Sequence, residues 1–502
     1  MPIFQRTLVV LSLAITIFLA SFDLTVVSTV IPEVASEFRA LSDATWISTA
    51  YMLTTTALQP LYGRLSDIFG RVPVLVSAIA VFTAGSAACG WAQSLGVLIF
   101  GRALQGVGGA GLMSLVFIIM SDLTTEDERP AYFGSLNIFW TISSAIGPVL
   151  GGVFSDKVSW RWAFLINLPI AGAVLALILA MLRLPLPRDS FWQKLKKVDI
   201  LGSLMLISAT VMVLLGLTWG GKTYPWSSAL VVCVLVFGFL LLCGFVLVEW
   251  KAASNPIVPL HLFCKRNVCL AVISQFFLWI GMYTIMFYIP IWYTIVKNTS
   301  SLALGLHLLP YLISIAVVSI GTGLVVSKTG HYRPIIIFGT LTYMVGCGLV
   351  ILFDENISTA KQVGFLLLMG IGLGLIIQTL LIAMQTAAPV KEMASATALF
   401  MFMRVLGSSV GIAMLQSVLQ NAVIPKLSLL SSQHPEYAGV FFASLDDQSV
   451  IYSSGLPGDI RKELIHYYVL ALQRVFICGT AFTSAAFVLV LGLEHIPLRK
   501  KA

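Results

Sequence analysis

The chain has 502 residues, of which 58% are hydrophobic and only 10% charged. Apolar runs of about 20 residues recur throughout, which excludes a soluble domain and points to membrane helices. The net charge of +8 comes largely from Lys and Arg in loops on one side of the membrane, so it is no sign of a nucleic-acid-binding face.

Thr7 to Ile31 has the apolarity of a signal peptide, but it is too long and carries Asp23, so it is read as a retained span. Fourteen spans are expected, at approximately 7–31, 45–62, 73–92, 97–120, 131–153, 162–182, 198–218, 228–248, 268–293, 304–326, 334–353, 362–388, 394–423 and 471–493. Pro, Gly or charge marks the breaks, among them Pro32, Glu126 to Pro130, Pro185 to Lys197 and Asn255 to Pro259. With the N-terminus inside, Lys and Arg favour the cytoplasmic loops about two to one, which places both termini in the cytoplasm.

Span 1 contains FDLTVVSTVIP, Phe22 to Pro32. An acid such as Asp23 in hydrocarbon costs several kcal/mol unless it is protonated, paired or facing water. Helix packing against a neighbour is the alternative role. Between spans 2 and 3 lies GRLSDIFGRVPVL, Gly63 to Leu75, a charged turn with Arg64, Asp67 and Arg71. Gly63 and Gly70 permit close approach and tight turning, and Pro73 suits a first helical turn. An ordinary basic loop is the alternative here.

Span 4 contains LIFGRALQGVGGAGL, with Arg102 and, one turn on, Gln105. A guanidinium there must face a cavity, backbone carbonyls or an acid, or snorkel to the interface. Span 5 contains SSAIGPVLGG, where Pro148 interrupts the backbone ladder and Gly147, Gly151 and Gly152 allow tight crossing. SWRWAFLINLP follows, Ser159 to Pro169, and later FWQKLKK, Phe191 to Lys197, reads as an interfacial helix or a solvated loop.

In the second half, Gly323 to Arg333 (GLVVSKTGHYR) echoes the Gly63 turn with Ser327 in place of the acid. This weak repeat suggests duplicated six-helix halves around spans 7 and 8. Candidate cavity residues are Gln105, Asn137, Gln275, His307, Gln378, Gln385 and Arg404; Gln378 and Gln385 are seven apart and share a helix face. A structural role is the alternative for Arg404. Trp46, Tyr51, Trp140, Trp279 and Tyr283 are aromatics suited either to stacking on a substrate or to interface anchoring. The Ser-rich stretch 424–468 holds three prolines and is read as a mostly irregular outer loop. The 7 Cys contain no CxxC pair and the 6 His no HExxH pattern, so neither disulfide, metal nor cofactor is expected. No filter loop or ring of acids suggests a channel, and no catalytic cluster suggests an enzyme.

The spacing G-x-L-x-D-x-x-G-R resembles the signature loop of the major facilitator superfamily. The span-1 run resembles the D-x-T-I-V-x-x-A-L-P element of its fourteen-span drug:proton antiporter group, with Ser28 and Val30 departing from Asn and Ala. R-x-x-Q-G-x-G-G is similar to the family's span-4 motif, and the span-5 run is similar to G-x-x-x-G-P-x-x-G-G, with Ser143 replacing the first Gly. The resemblance implies an all-α integral membrane protein of the major facilitator fold. Six-helix bundles would occupy 1–185 and 261–502, with two extra central transmembrane helices and a linker in 186–260. It further implies proton-coupled antiport of a small organic drug, toxin or metabolite by alternating access. Asp23 and Arg102 would couple protons. Gly63, Asp67, Gly70, Arg71 and Asp122 would form a latch, Asp67 capping or pairing across to the second half and Arg71 pairing near Asp122. Gly147, Pro148, Gly151 and Gly152 would form the antiporter motif. The expected partners are a small-molecule substrate, protons and the bilayer, for a monomer in the plasma membrane. A vacuolar amino-acid transporter of the same fold is the alternative.

Overall fold

A computed structural model describes residues 3–38, 46–185, 187, 189–221, 223–251, 256–299, 301–445, 448, 450–453 and 455–498. Arg39, Arg188, Lys222 and the basic residues from Arg499 on, all used for orientation, lie outside the described residues, as does Asn255.

The described residues form long helices and no strand beyond an isolated bridge between Gly220 and Tyr224. In chain order the first half holds α1 (Ile3–Glu37), α2 (Trp46–Phe69), α3 (Arg71–Gly90), α4 (Leu95–Leu123), α5 (Arg129–Lys157) and α6 (Asn167–Met181). Then come α7 (Ile200–Trp219) and α8 (Ala229–Lys251). The second half holds α9 (Arg266–Lys297), α10 (Ser301–Thr329), α11 (Arg333–Val350), α12 (Thr359–Ala387), α13 (Met393–Gln433) and α14 (Gly458–Leu491). Among the described residues, thirteen helices are long and apolar enough to cross a membrane. The helix outside that set, α2, has 24 residues and so is about 36 Å long, enough for a core of about 30 Å. Its Thr run, Gln59 and Pro60 make it the most polar of the long helices.

The two halves pack by the same rule. In each, the first helix meets the fifth and sixth, and the fourth meets the second and third. The halves then exchange partners: α2 packs on α13, and α10 packs on α5. Gly63 sits against Ala394 and Ala398 of α13, while Gly323 sits against Pro130 and Ala131 of α5. The degenerate repeat in the sequence is thus a repeat of contacts as well.

Several local expectations change. Helix α1 runs on through position 32 to Glu37, and α13 through Pro425 to Gln433; a proline inside a packed membrane helix is tolerated where neighbours re-satisfy the backbone. The 424–468 segment is largely helical, not irregular. It continues α13, adds the short helices Ala438–Ala443 and Val450–Ser453, and enters α14 at Gly458. Its Phe441, Ile451, Leu456 and Leu464 are buried as part of the main hydrophobic core, and Ser444 is hydrogen-bonded to the Tyr468 hydroxyl at 2.8 Å. The extra helices are central in the sequence but peripheral in space. Helix α7 lies over the α2–α13 seam, and α8 packs on α7 with Val236, Phe237, Phe239 and Leu240 exposed. The linker is a short helix, Phe191–Lys196, capped by Ser190 and Gln193, with Phe191 and Trp192 exposed in the manner of an interfacial helix.

Candidate functional site

Ser94 caps α4 by accepting a hydrogen bond from the Val97 amide, and Arg102 follows about 10 Å along the helix. There its Nη1 meets Asp23 Oδ2 of α1 at 2.5 Å, with the two side chains 1% and 0% exposed. The same Nη1 donates to Gln105 Oε1 at 2.7 Å, and Nε donates to the Ile47 carbonyl at 3.0 Å. Gln105 Nε2 donates to Asp23 Oδ1 at 2.6 Å and to Ser86 Oγ at 2.7 Å. Asn167 Nδ2 reaches Asp23 Oδ1 at 3.2 Å. The Arg102 guanidinium lies 4.4 Å from the Tyr51 ring centroid. Helices α4 and α6 therefore donate to the carboxylate of α1, with α2 and α3 accepting from Arg102 and Gln105 behind it, and a buried pair of this kind is held only when its remaining donors and acceptors are filled. Asn167 and Ser86 were missed from the sequence, although Asn167 lies inside the Ser159 to Pro169 run. The start of that run has its own task. Trp160 and Arg161 donate to Glu37 at 2.6 and 2.8 Å, and the bond from Arg161, then that from Trp160, holds this carboxyl below its usual range.

The span-5 glycines press on α1. A Cβ on Gly147 would lie 2.0 Å from Thr25 Oγ1; one on Gly151 would lie 1.9 Å from Thr29 Oγ1 and 2.8 Å from the Val26 carbonyl. Ser143 keeps the crossing and donates to the Phe18 carbonyl at 2.9 Å. Pro148 is exposed, and a Cβ on Gly152 would meet nothing within 4 Å, so Gly152 takes no part in the tight crossing expected of it. Gly151→Ala is therefore expected to cost about 1–3 kcal/mol, and Gly152→Ala less than about 0.5 kcal/mol. Thermal unfolding of the two purified variants checks this, and equal melting temperatures would contradict the packing.

At the end bearing the Gly63 turn, Gly70 links α2 to α3 in one residue at φ 101°, a conformation for glycine alone. Arg71 donates to Asp67 at 2.5 Å, to Ser66 at 2.8 Å and to Asp122 at 2.8 Å. Asp67 thus pairs within its own half; the expected pairing across to the second half is not formed among the described residues. Other groups close this end between halves. Gln385 Nε2 donates to Ser121 Oγ at 2.8 Å, Gln378 Nε2 to the Phe133 carbonyl at 2.9 Å, and Asn137 Nδ2 to Ser319 Oγ at 2.9 Å. Ser327, the echo of Asp67, donates to the Asp127 carbonyl. Asn137, Gln378 and Gln385 are hence sealing residues here and not cavity lining.

A cavity of about 70 Å³ lies between the halves, lined by Tyr51, Gln59, Trp140, Trp279, Tyr283 and Arg404 among others. Toward the opposite end a larger one of about 390 Å³ is walled by α2, α7, α9 and α13, with Thr218, Phe287, Gln416 and Gln420 in its lining. Met52 lines both. Only the larger is of a size to hold a drug-sized molecule. Of the remaining candidates, Gln105 belongs to the Asp23 cluster and Gln275 is buried in α9 outside both linings. His307 stacks on Tyr293 at 4.6 Å, away from both cavities. Trp46 meets Trp219 of α7 edge to face and likewise lines neither.

The profile described as Major Facilitator Superfamily matches residues 13–412. The chain belongs to the major facilitator superfamily. Among curated facilitators it is 36% identical to the efflux pump dotC of Dothistroma septosporum, over 98% of this chain and 84% of that one. It is 35% identical to the efflux pump aflT of Aspergillus parasiticus, over 97% and 95%. Among solved facilitators, the human organic anion transporter MFSD10 superposes with a TM-score of 0.63 at 14% identity, covering 98% of this chain and all of the other. The proton:xylose symporter XylE superposes with a TM-score of 0.55 at 14% identity, covering 95% of each. These two likenesses speak to the fold alone. As a facilitator, the protein is a multi-pass membrane transporter and not an enzyme.

Proposed function

We propose that the protein exports a small organic molecule across the plasma membrane in exchange for protons, by alternating access, as a monomer. The observation that carries this reading is the shared residue Tyr51. One face of its ring supports Arg102 of the buried Asp23 cluster, and the ring also lines the central cavity. A change of protonation at Asp23 alters the Arg102 pairing and thereby reaches the substrate site. The efflux names of the relatives support the direction of transport. The sealed end is the cytoplasmic one by the charge bias, so the larger cavity is an exit vestibule in an outward-facing state. Reconstituted vesicles test the reading with fluorescent aromatic probes of each charge. An acid-inside pH gradient should drive uptake of at least one probe, and a protonophore should collapse it. Uptake indifferent to the gradient for every probe would sink the exchange.

In this scheme the Asp67–Arg71–Asp122 group stabilises the closed cytoplasmic end. Asp67→Asn leaves Arg71 with Asp122 and Ser66, so folding survives while one state of the cycle weakens. Transport is expected to fall about tenfold, a shift of about 1.4 kcal/mol, with abundance nearly unchanged. Wild-type transport rates in this variant would reduce the turn to an ordinary loop.

A further inference from the structure

The charged side chain of the central cavity is Arg404, on α13. Its guanidinium stacks 3.7 Å from the Trp279 ring centroid and lies 5.9 Å from that of Trp140. Among the described residues it forms no ion pair and no hydrogen bond. It differs in this from Arg6, Arg71, Arg102 and Arg161, each of which meets a carboxylate. Among the described residues, no acid lines the central cavity or the vestibule. A guanidinium carries five N–H donors in a planar fork, and stacking on an aromatic face fills none of them. A guanidinium whose N–H donors meet no protein acceptor is matched by a ligand that brings the missing anion.

The surroundings describe the rest of that ligand. Trp140, Trp279 and Tyr283 present flat faces beside Arg404, and Met52, Met113 and Met401 supply adaptable apolar walls. We infer that the central cavity selects organic anions by binding their charged end: planar aromatic molecules bearing one carboxylate, phenolate or enolate held by Arg404, with the rest of the molecule reaching past the shared Met52 into the larger cavity. The inference rests on the proposed export function, in that it names the substrate class of the same site. Organic cations are disfavoured by like charge. Among its described residues the vestibule offers Gln416, Gln420, Thr218 and Ser409 to hydrogen-bond the departing molecule and no cation to retain it. Exchange of an anion outward for a proton inward moves positive charge inward on both legs, so the membrane potential would drive both.

Three probes with one ring system test this: 9-anthracenecarboxylate, 9-anthracenemethanol and 9-anthracenemethylamine. Binding to the full-length protein in nanodiscs is read by energy transfer from tryptophan to anthracene, with no gradient present. The carboxylate is expected to bind about tenfold tighter than the other two, or better, as a charge-assisted hydrogen-bonded pair provides. Arg404→Gln should bring the carboxylate-to-alcohol ratio to about one, whereas Arg404→Lys should keep most of the preference. A carboxylate that binds no tighter than the alcohol, or not at all, overturns the inference. So does an amine that matches the carboxylate, or a Gln variant that keeps the ratio. Should the Gln variant fail to fold, the wild-type ranking and the Lys variant still decide. Failure of the export reading looks different: the carboxylate binds with the predicted ranking, yet no gradient drives its uptake.

Discussion

Gly63→Ala and Gly323→Ala are both expected to open the cytoplasmic end and to slow transport about tenfold or more. A Cβ on Gly63 would lie 2.6 Å from Ala398 Cβ and 2.8 Å from the Ala394 carbonyl; one on Gly323 would lie 2.4 Å from the Pro130 carbonyl. The atoms in the way are backbone and alanine, which cannot turn aside as a long side chain can. The helices must separate, and overpacking of this kind costs about 1–3 kcal/mol. That cost falls on the state in which these helices touch. It therefore moves the equilibrium between states by about 5- to 150-fold and does not tax folding evenly. Hydrogen–deuterium exchange should rise in the turn after Gly63 and at the start of α13 for the first variant, and at the start of α5 for the second. Wild-type exchange and wild-type transport in both variants would mean that these contacts do not gate the cycle.

Asp23→Asn is expected to reduce pH-gradient-driven uptake into inside-out vesicles to the level of protein-free vesicles. Asparagine keeps the shape and one acceptor, for Arg102 or for Gln105 but not both, and cannot take up and release a proton. Proton entry is worth roughly 2.3 kcal/mol per charge per 100 mV, and a site that cannot cycle forfeits all of it. Substrate exchange without a gradient should persist in part, because Asp23 does not line the central cavity. The variant also leaves Arg102 as a buried charge without its counter-ion, a loss of about 3–5 kcal/mol in comparable pairs, so rates must be normalised to folded protein. Arg102→Ala should impair driven uptake as well. Arg102→Lys should keep some of it, since it retains the charge but loses the bidentate reach to Asp23 and the Ile47 carbonyl. Driven accumulation with wild-type pH dependence in Asp23→Asn would make this carboxyl structural.

Much of the architecture was legible because a membrane punishes the wrong residue severely. Apolar run length marks the helices, and a lone Asp or Arg inside a run stands out by its cost, as Asp23 and Arg102 do. Their partners do not stand out. Ser86 and Asn167 are ordinary small polar residues in apolar helices, and the meeting of Asn167 with Asp23, and of Ser86 with Gln105 beside it, depends on how the helices cross. Gln378 and Gln385 were read as sharing a face, which follows from their spacing. Whether that face looks into a cavity or onto the opposite half depends on the state of the cycle, which periodicity does not encode. The 424–468 stretch misled through its composition. Its prolines and serines suggested an irregular loop, while Phe441, Ile451 and Leu456 are too irregularly spaced to announce that they join the main core. Gly152 shows the limit of a motif: its neighbour Gly151 meets α1, and one residue further round the helix there is nothing to meet.

Proton movement tied to substrate movement is the most direct test. Purified protein is reconstituted into vesicles with an acidic lumen containing trapped pyranine, and 9-anthracenecarboxylate is added outside. Exchange predicts that the lumen turns alkaline when the probe is added and not before, at a rate that follows probe uptake, and that Asp23→Asn abolishes the change. Passive entry of the protonated probe would push the lumen the other way, as protein-free vesicles will register. Probe uptake by the wild-type protein with no alkalinisation of the lumen would contradict proton exchange.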